Sequence, residues 1–247
     1  MRLRRYLLGK AARRLGLDLV PVPRMRNREL GEFLQKLFRT LRVDCVLDVG
    51  ANQGQFYRFL RTEVGYAGPI VSFEPLPALA ERLQSEARAD DRWVVKPLAL
   101  GSHPGTGSMN VMADTVFSSF LAPDHMHTER FAELNTVKAV QPVSIDTLDR
   151  VAPEIFGRFD VHCAYLKLDT QGYDLQVLAG AGEALQRVGA LQSELSFVPI
   201  YRGMPSWQAA LQAYGDAGFA VSGFFAVTRD EDMRLIEADC VLVKRRS

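Results

Sequence analysis

Along most of this chain, short apolar runs alternate with stretches whose apolar residues recur every three or four positions. The runs at 45–49, 70–73, 93–100, 165–168 and 191–197 predict β-strands; the periodic stretches at 29–39, 53–62, 77–89, 174–188 and 207–217 predict helices. Alternation of this kind argues for an α/β fold, a mostly parallel sheet with helices on both faces. After the last predicted helix, stopped by Gly218, residues 219–227 and 239–243 read as two strands joined through the charged stretch 229–237. That C-terminal antiparallel hairpin is unusual for a dinucleotide-binding fold, in which parallel βα units normally continue. Between the third and fourth strands lies a long insertion, 101–160, opening with Gly101, Gly105 and Gly107. Within it, 109–112 and 138–143 read as extra strands with Ser118 and Ser119 between them. Insertions of this length are usually functional, and it is expected to form part of a substrate pocket.

Charge divides the chain in two. Residues 1–28 hold nine Lys or Arg against the single acid Asp18, so that segment carries +8 and the rest −7 for a net charge of +1. Leu3, Leu7, Leu8, Ala11, Ala12 and Leu15 lie among those arginines, which predicts a short basic amphipathic extension ended by Pro21 and Pro23. It is expected either to pack on the domain formed by 29–247 or to make a peripheral membrane contact with anionic headgroups. A negative body argues against nucleic acid as a partner. Cys45, Cys163 and Cys240 are far apart and each lies in or beside an apolar run, which predicts reduced, buried thiols and a cytoplasmic protein. No window approaches a membrane-spanning length of apolar residues.

Candidate chemistry concentrates at the strand ends. The run V-L-D-V-G-A-N-Q-G (46–54) stops at an acid and turns through Gly50 and Gly54, and I-V-S-F-E-P (70–75) stops at a second acid, Glu74. Glycines permit a tight turn and close approach of backbone to ligand, and an acid at the next strand tip can accept both hydroxyl hydrogens of a ribose. A nucleoside cofactor held at adjoining strand tips is therefore expected. The nicotinamide fingerprint G-x-G-x-x-G is absent, which disfavours a nicotinamide-binding oxidoreductase. A non-catalytic binding module would not need to keep the turn glycines and Glu74 together.

Taken together, V-L-D-V-G-A-N-Q-G (46–54), F-E-P-L-P (73–77), S-I-D-T-L-D (144–149), L-K-L-D-T-Q-G-Y-D-L-Q-V-L-A-G-A (166–181) and S-E-L-S-F (193–197) make the chain resemble the FkbM-type S-adenosylmethionine-dependent methyltransferases, a class I family. The resemblance covers nearly everything after the N-terminal extension. It implies a Rossmann-like, seven-stranded sheet with one reversed strand, in agreement with the hairpin, and O-methylation of a hydroxyl on a sugar, polyketide or glycolipid. Gln171, followed by Tyr173-Asp174, departs from the family's pattern of an acid followed by Ala-Glu.

On that resemblance, Gly50, Asn52 and Gly54 are expected around the amino-acid end of S-adenosylmethionine. Asp48 orders that turn, reaches the cofactor's amino group through water, or caps a helix. Glu74 is assigned to the ribose, and Ala99 and Leu100 to the adenine. An alcohol acceptor must lose a proton, so a base is expected within hydrogen-bond reach. Asp169 is the first candidate, with capping or fixing of the following loop as its alternative, and His103 the second. Gln171 would hydrogen-bond the acceptor or the cofactor's carboxylate. Glu194, in an apolar run, needs a partner: it positions the acceptor hydroxyl, joins Asp169 on a divalent ion, or pairs with an arginine. A metal is possible but not indicated, since alternate His125 and His127 are a poor ligand set. Ser118 and Ser119 are expected to line the pocket, His162 to lie at a strand edge, and Tyr201 and Arg202 to contact a sugar, with Trp207 more suited to the core.

Overall fold

In the computed structural model the described residues are 27–126 and 131–245. The basic segment read at 1–28 therefore lies outside them except for its last two residues, and His127 lies outside them as well. The elements are α1 (Arg28–Leu41), β1 (Cys45–Val49), α2 (Gln55–Phe59), β2 (Ile70–Phe73), α3 (Pro77–Ala87), β3 (Trp93–Lys96), β4 (Ala99–Leu100), β5 (Gly105–Met112), β6 (Val137–Asp146), α4 (Leu148–Phe159), β7 (Ala164–Leu168), α5 (Asp174–Ala179), β8 (Val188–Ser196), α6 (Trp207–Asp216), β9 (Phe219–Arg229) and β10 (Leu235–Lys244). Seven strands form the main sheet in the order β3-β2-β1-β7-β8-β10-β9, and β4-β6-β5 form a separate small sheet.

The first five strands of the main sheet pair in parallel, whereas β10 runs antiparallel to both β8 and β9. The predicted α/β class, the seven strands and the C-terminal antiparallel hairpin all match. β1, β2 and β7 are buried at every residue because helices cover both faces. One face packs around Leu47, Leu166, Leu191, Ile155 and Tyr214; the other packs around Val46, Ile70, Tyr165, Leu34 and Leu60. The order reverses direction between β1 and β7, which opens a crevice at their carboxyl ends.

Three expectations shift. The single strand read at 93–100 is two, because Pro97 has no N–H for the ladder; Ala99 and Leu100 pair instead with Ile145 and Asp146 of the small sheet. The helix read at 174–188 stops at Gly180, and a short 3-10 turn, Ala184–Arg187, follows. Within the insertion a full helix, α4, buries Leu148, Ala152, Ile155 and Phe156. Pro153 inside that helix hid it from the periodicity, although Thr147 caps it by accepting from the Arg150 N–H at 3.3 Å.

Candidate active site

A cavity of about 450 Å3 occupies the crevice at the carboxyl ends of β1, β2, β7 and β8. Its first wall is the turn after β1. Gly50 adopts φ 85° and Gly54 φ 79°, and between them Asn52 is also left-handed at φ 45°. A Cβ on Gly50 would collide with the Asp169 carbonyl oxygen, so closeness of the two strand tips itself requires glycine there.

Glu74 forms the next wall at the tip of β2. One carboxylate oxygen accepts the Asn52 N–H at 2.6 Å and the other accepts the Leu76 N–H at 2.8 Å. Burial raises its pKa to about 7, outweighing those two bonds, with Asp48 adding in the same direction. Each oxygen keeps a further lone pair for a donor in the cavity. Ala99 and Leu100 line the same compartment. Thr115, on a 3-10 turn of the insertion, donates to the Asn52 side-chain oxygen at 3.0 Å and so ties the insertion to the glycine turn.

The opposite wall carries the acids. Asp169, Gln171 and Glu194 all line the cavity. The Gln171 amide nitrogen donates to Asp169 at 3.1 Å and to Glu194 at 3.2 Å, and its oxygen accepts from the Tyr201 hydroxyl at 2.7 Å. The partner of Glu194 is thus an amide rather than an arginine, and that amide fills the place where an ion shared with Asp169 would sit. Among the described residues no group of three or more His, Cys, Asp or Glu side chains is arranged to hold a metal. Burial drives the Glu194 pKa well above the carboxylate range, with Asp169, Glu237 and Asp239 reinforcing it and Lys167 opposing.

Sequence reasoning missed the floor beneath these acids. Lys167, 9% exposed at its side chain, donates to Asp169 at 2.9 Å, lies 3.8 Å from Asp48, and stands 5.0 Å above the Phe56 ring. Burial pushes its pKa down, but Asp169, Asp48 and Asp239 outweigh that and hold the ammonium charged. Beside it Gln192 donates to Asp239 at 2.8 Å and accepts from the Tyr165 hydroxyl at 2.7 Å. Phe225 and Asn27 complete the far end. Strand register makes this polar row: Asp48 lies opposite both Ser72 and Lys167, and Lys167 lies opposite Gln192. The available signal was a lysine set singly in the apolar run Ala164–Leu168.

Several expected residues stand elsewhere. Asp48 is fully buried under the cavity rather than lining it, accepting from Ser72 at 3.0 Å, so its service is to Lys167 and the strand tips. Gly54 packs toward Leu83 and Trp93, away from the cavity, at the start of α2. His103 is exposed and its ring nitrogen lies 3.0 Å from the Ser102 hydroxyl; it does not reach the cavity and is no candidate base. Ser118 lines the cavity, but Ser119 is buried behind it, donating to the Gln171 carbonyl at 2.8 Å. His125 lies 3.2 Å from the Asn135 carbonyl, outside the cavity, and His162 is exposed. Tyr201 is buried behind Gln171 and Trp207 packs on Phe197, so neither presents a face to a sugar in the cavity. Capping is not the role of Asp169: it is Asp174 that accepts the Thr170 N–H at 3.0 Å and the Ser193 hydroxyl at 2.7 Å, fixing the loop between β7 and α5.

The Methyltransferase FkbM domain matches residues 48–221. No curated protein matches the chain. Among solved structures, it is similar to magnesium protoporphyrin IX methyltransferase (ChlM) from Synechocystis PCC 6803 with bound SAM, at 10% identity and a TM-score of 0.44, covering 90% of this chain and 81% of that one. It is similar to Aeropyrum pernix fibrillarin in complex with S-adenosyl-L-methionine, at 12% identity and TM-score 0.43, over 86% and 74% of the two chains. A third likeness is to precorrin-6y C5,15-methyltransferase from Geobacter metallireducens GS-15, at 9% identity and TM-score 0.45, over 92% and 94%.

Proposed function

The chain belongs to the FkbM methyltransferase family, and from that premise we propose that it transfers a methyl group from S-adenosylmethionine to a hydroxyl, on a sugar of a glycolipid or secondary metabolite. The observation that carries this reading is one cavity with a ribose-type acceptor, Glu74, on one wall and two carboxyls, Asp169 and Glu194, on the other.

The cavity's polar groups suit the cofactor. Glu74 has lone pairs for the ribose hydroxyls, the Gly50–Asn52 turn admits close backbone approach, and Ala99 and Leu100 offer an apolar slot to the adenine. When bound, S-adenosylmethionine supplies a methyl carbon made electrophilic by its sulfonium. What the chain must add is alignment of the acceptor and a place for its proton, and alignment alone can supply about 7–11 kcal/mol in favourable cases. Lys167 and Gln171 hold Asp169 from two sides, which fixes the direction of its carboxylate. With the cofactor bound, Asp169 would be the residue that takes the acceptor's hydroxyl proton.

Two experiments test this. Calorimetry of the purified protein with S-adenosylhomocysteine should detect saturable binding, and its absence would remove the cofactor assignment. Incubation of candidate glycosides and glycolipids with labelled cofactor should give methylated products in wild type and none with Asp169→Asn, which should still bind S-adenosylhomocysteine. Product formed equally by Asp169→Asn would take the proton-accepting role away from that residue.

A further inference from the structure

The hydrogen bonds around Gln171 leave one acceptor too many for the donors beside it. The Tyr201 hydroxyl lies 2.7 Å from the Gln171 amide oxygen and 2.8 Å from the Phe117 carbonyl oxygen. Both are acceptors, and a phenol has one hydrogen to give. Tyr201 is 1% exposed and can give its hydrogen to only one of these two half-buried acceptors, so the other goes without it. On its other side the Gln171 amide nitrogen spends its hydrogens on Asp169 and Glu194, which requires both carboxylates to accept. The amide can turn over by 180° in almost the same space. Its nitrogen then donates to the Tyr201 oxygen, freeing the phenol hydrogen for Phe117. Its oxygen then faces the acids, where it needs a donor, and a protonated Glu194 is one.

We propose that the Gln171 side chain is a two-position link in which protonation of Glu194 turns the amide over, satisfies Tyr201, and leaves Asp169 without its amide donor. Asp169 is then open to the acceptor hydroxyl, held by Lys167 alone. The proposal deepens the preceding reading and rests on it for the role of Asp169. Gln171 and Tyr201 are positioning residues here; neither is required to touch the acceptor.

The groups bearing on Glu194 fit this behaviour. Burial and the carboxylates Asp169 on the β7 tip and Glu237 and Asp239 on β10 favour the protonated form, while Lys167 on β7 favours the ionised one. Tyr201, after β8, stays a neutral phenol, since burial and then Glu237, Glu194 and Asp169 raise its pKa. Phe117 ends the 3-10 turn that begins at Thr115, whose hydroxyl bonds to Asn52. The state of Glu194 is therefore tied through one amide and one phenol to the insertion turn that lines the cavity.

The test uses the full chain without cofactor or acceptor. The side-chain amide resonances of Gln171, assigned in 15N-labelled protein, are followed across pH. In wild type they should move in one step whose midpoint lies above the ordinary carboxylate range, and Glu194→Gln should abolish that step. Tyr201→Phe removes the group that receives the turned amide, which costs the protonated state more than the ionised one. Its midpoint should fall by about one pH unit, a tenfold loss of proton affinity. Amide resonances that do not move through the wild-type titration would overturn the link without recourse to any variant. So would an unchanged midpoint in Tyr201→Phe whose circular dichroism matches wild type. Because the readout needs no ligand, a failure to bind S-adenosylhomocysteine would sink the functional reading separately.

Discussion

At the scale of single residues, Glu74 is a buried acid held by two backbone N–H donors. Its pKa of about 7 means that near neutrality it is partly protonated, chiefly because it is buried. A ligand whose hydroxyls donate to it favours the ionised form. Binding of S-adenosylhomocysteine should therefore tighten as pH rises from about 6 to about 8, with release of up to one proton, seen by calorimetry in buffers of different ionisation heat. Glu74→Gln should remove the proton release and weaken binding by roughly tenfold or more, because its amide nitrogen must face an N–H where an acceptor stood. Binding that is independent of pH in wild type would show that the ribose is held elsewhere.

At the scale of elements, the turn after β1 and the end of β7 touch through a single glycine. Gly50→Ala should cost about 1–3 kcal/mol in backbone strain and also push the β7 tip outward, abolishing cofactor binding. Gly65→Ala is the control: it too has positive φ, but nothing lies within 4 Å of a Cβ there, so urea denaturation should show the strain and calorimetry normal binding. The contrast also shows what the sequence made legible. Strand tips are marked by abrupt changes from apolar residues to acid and glycine, so Gly50, Glu74 and Asp169 could be placed in one crevice from the sequence alone. Lys167, Gln192 and Asp239 could not. Lys167 is a single polar residue inside an apolar run, whereas Gln192 opens Gln192-Ser193-Glu194 and Asp239 follows Glu237 by two; only the pairing of β1 with β7, β7 with β8 and β8 with β10 brings them onto one floor. Register is settled by tertiary packing, which no local pattern records. The same reason explains His103: it closely follows the strand read at 93–100, but the break at Pro97 sends Ala99 and Leu100 into another sheet and the chain beyond them to the surface.

Over the whole molecule, the site is a concentration of acids around one ammonium group, and this shapes stability. Glu74 and Glu237 both titrate near about 7 when folded, against an ordinary value of 4.5, through burial first in each case. Between those values the folded chain holds protons that the unfolded chain gives up. The stability they confer is complete below about 4.5 and is lost as pH rises through about 7. The melting temperature should accordingly fall between pH 5 and pH 8, and S-adenosylhomocysteine should lessen the fall by taking over the share of Glu74. A melting temperature that rises across that window would contradict the burial assigned to these acids. The placing of β10 between β8 and β9 has a consequence for biosynthesis. Until β10 follows, β9 lacks the strand it pairs with in the folded sheet, and the floor still lacks Asp239. Only when the following strand arrives can the sheet close between β8 and β9 and Asp239 take its place under the cavity, so a chain cut short before β10 should leave that floor incomplete.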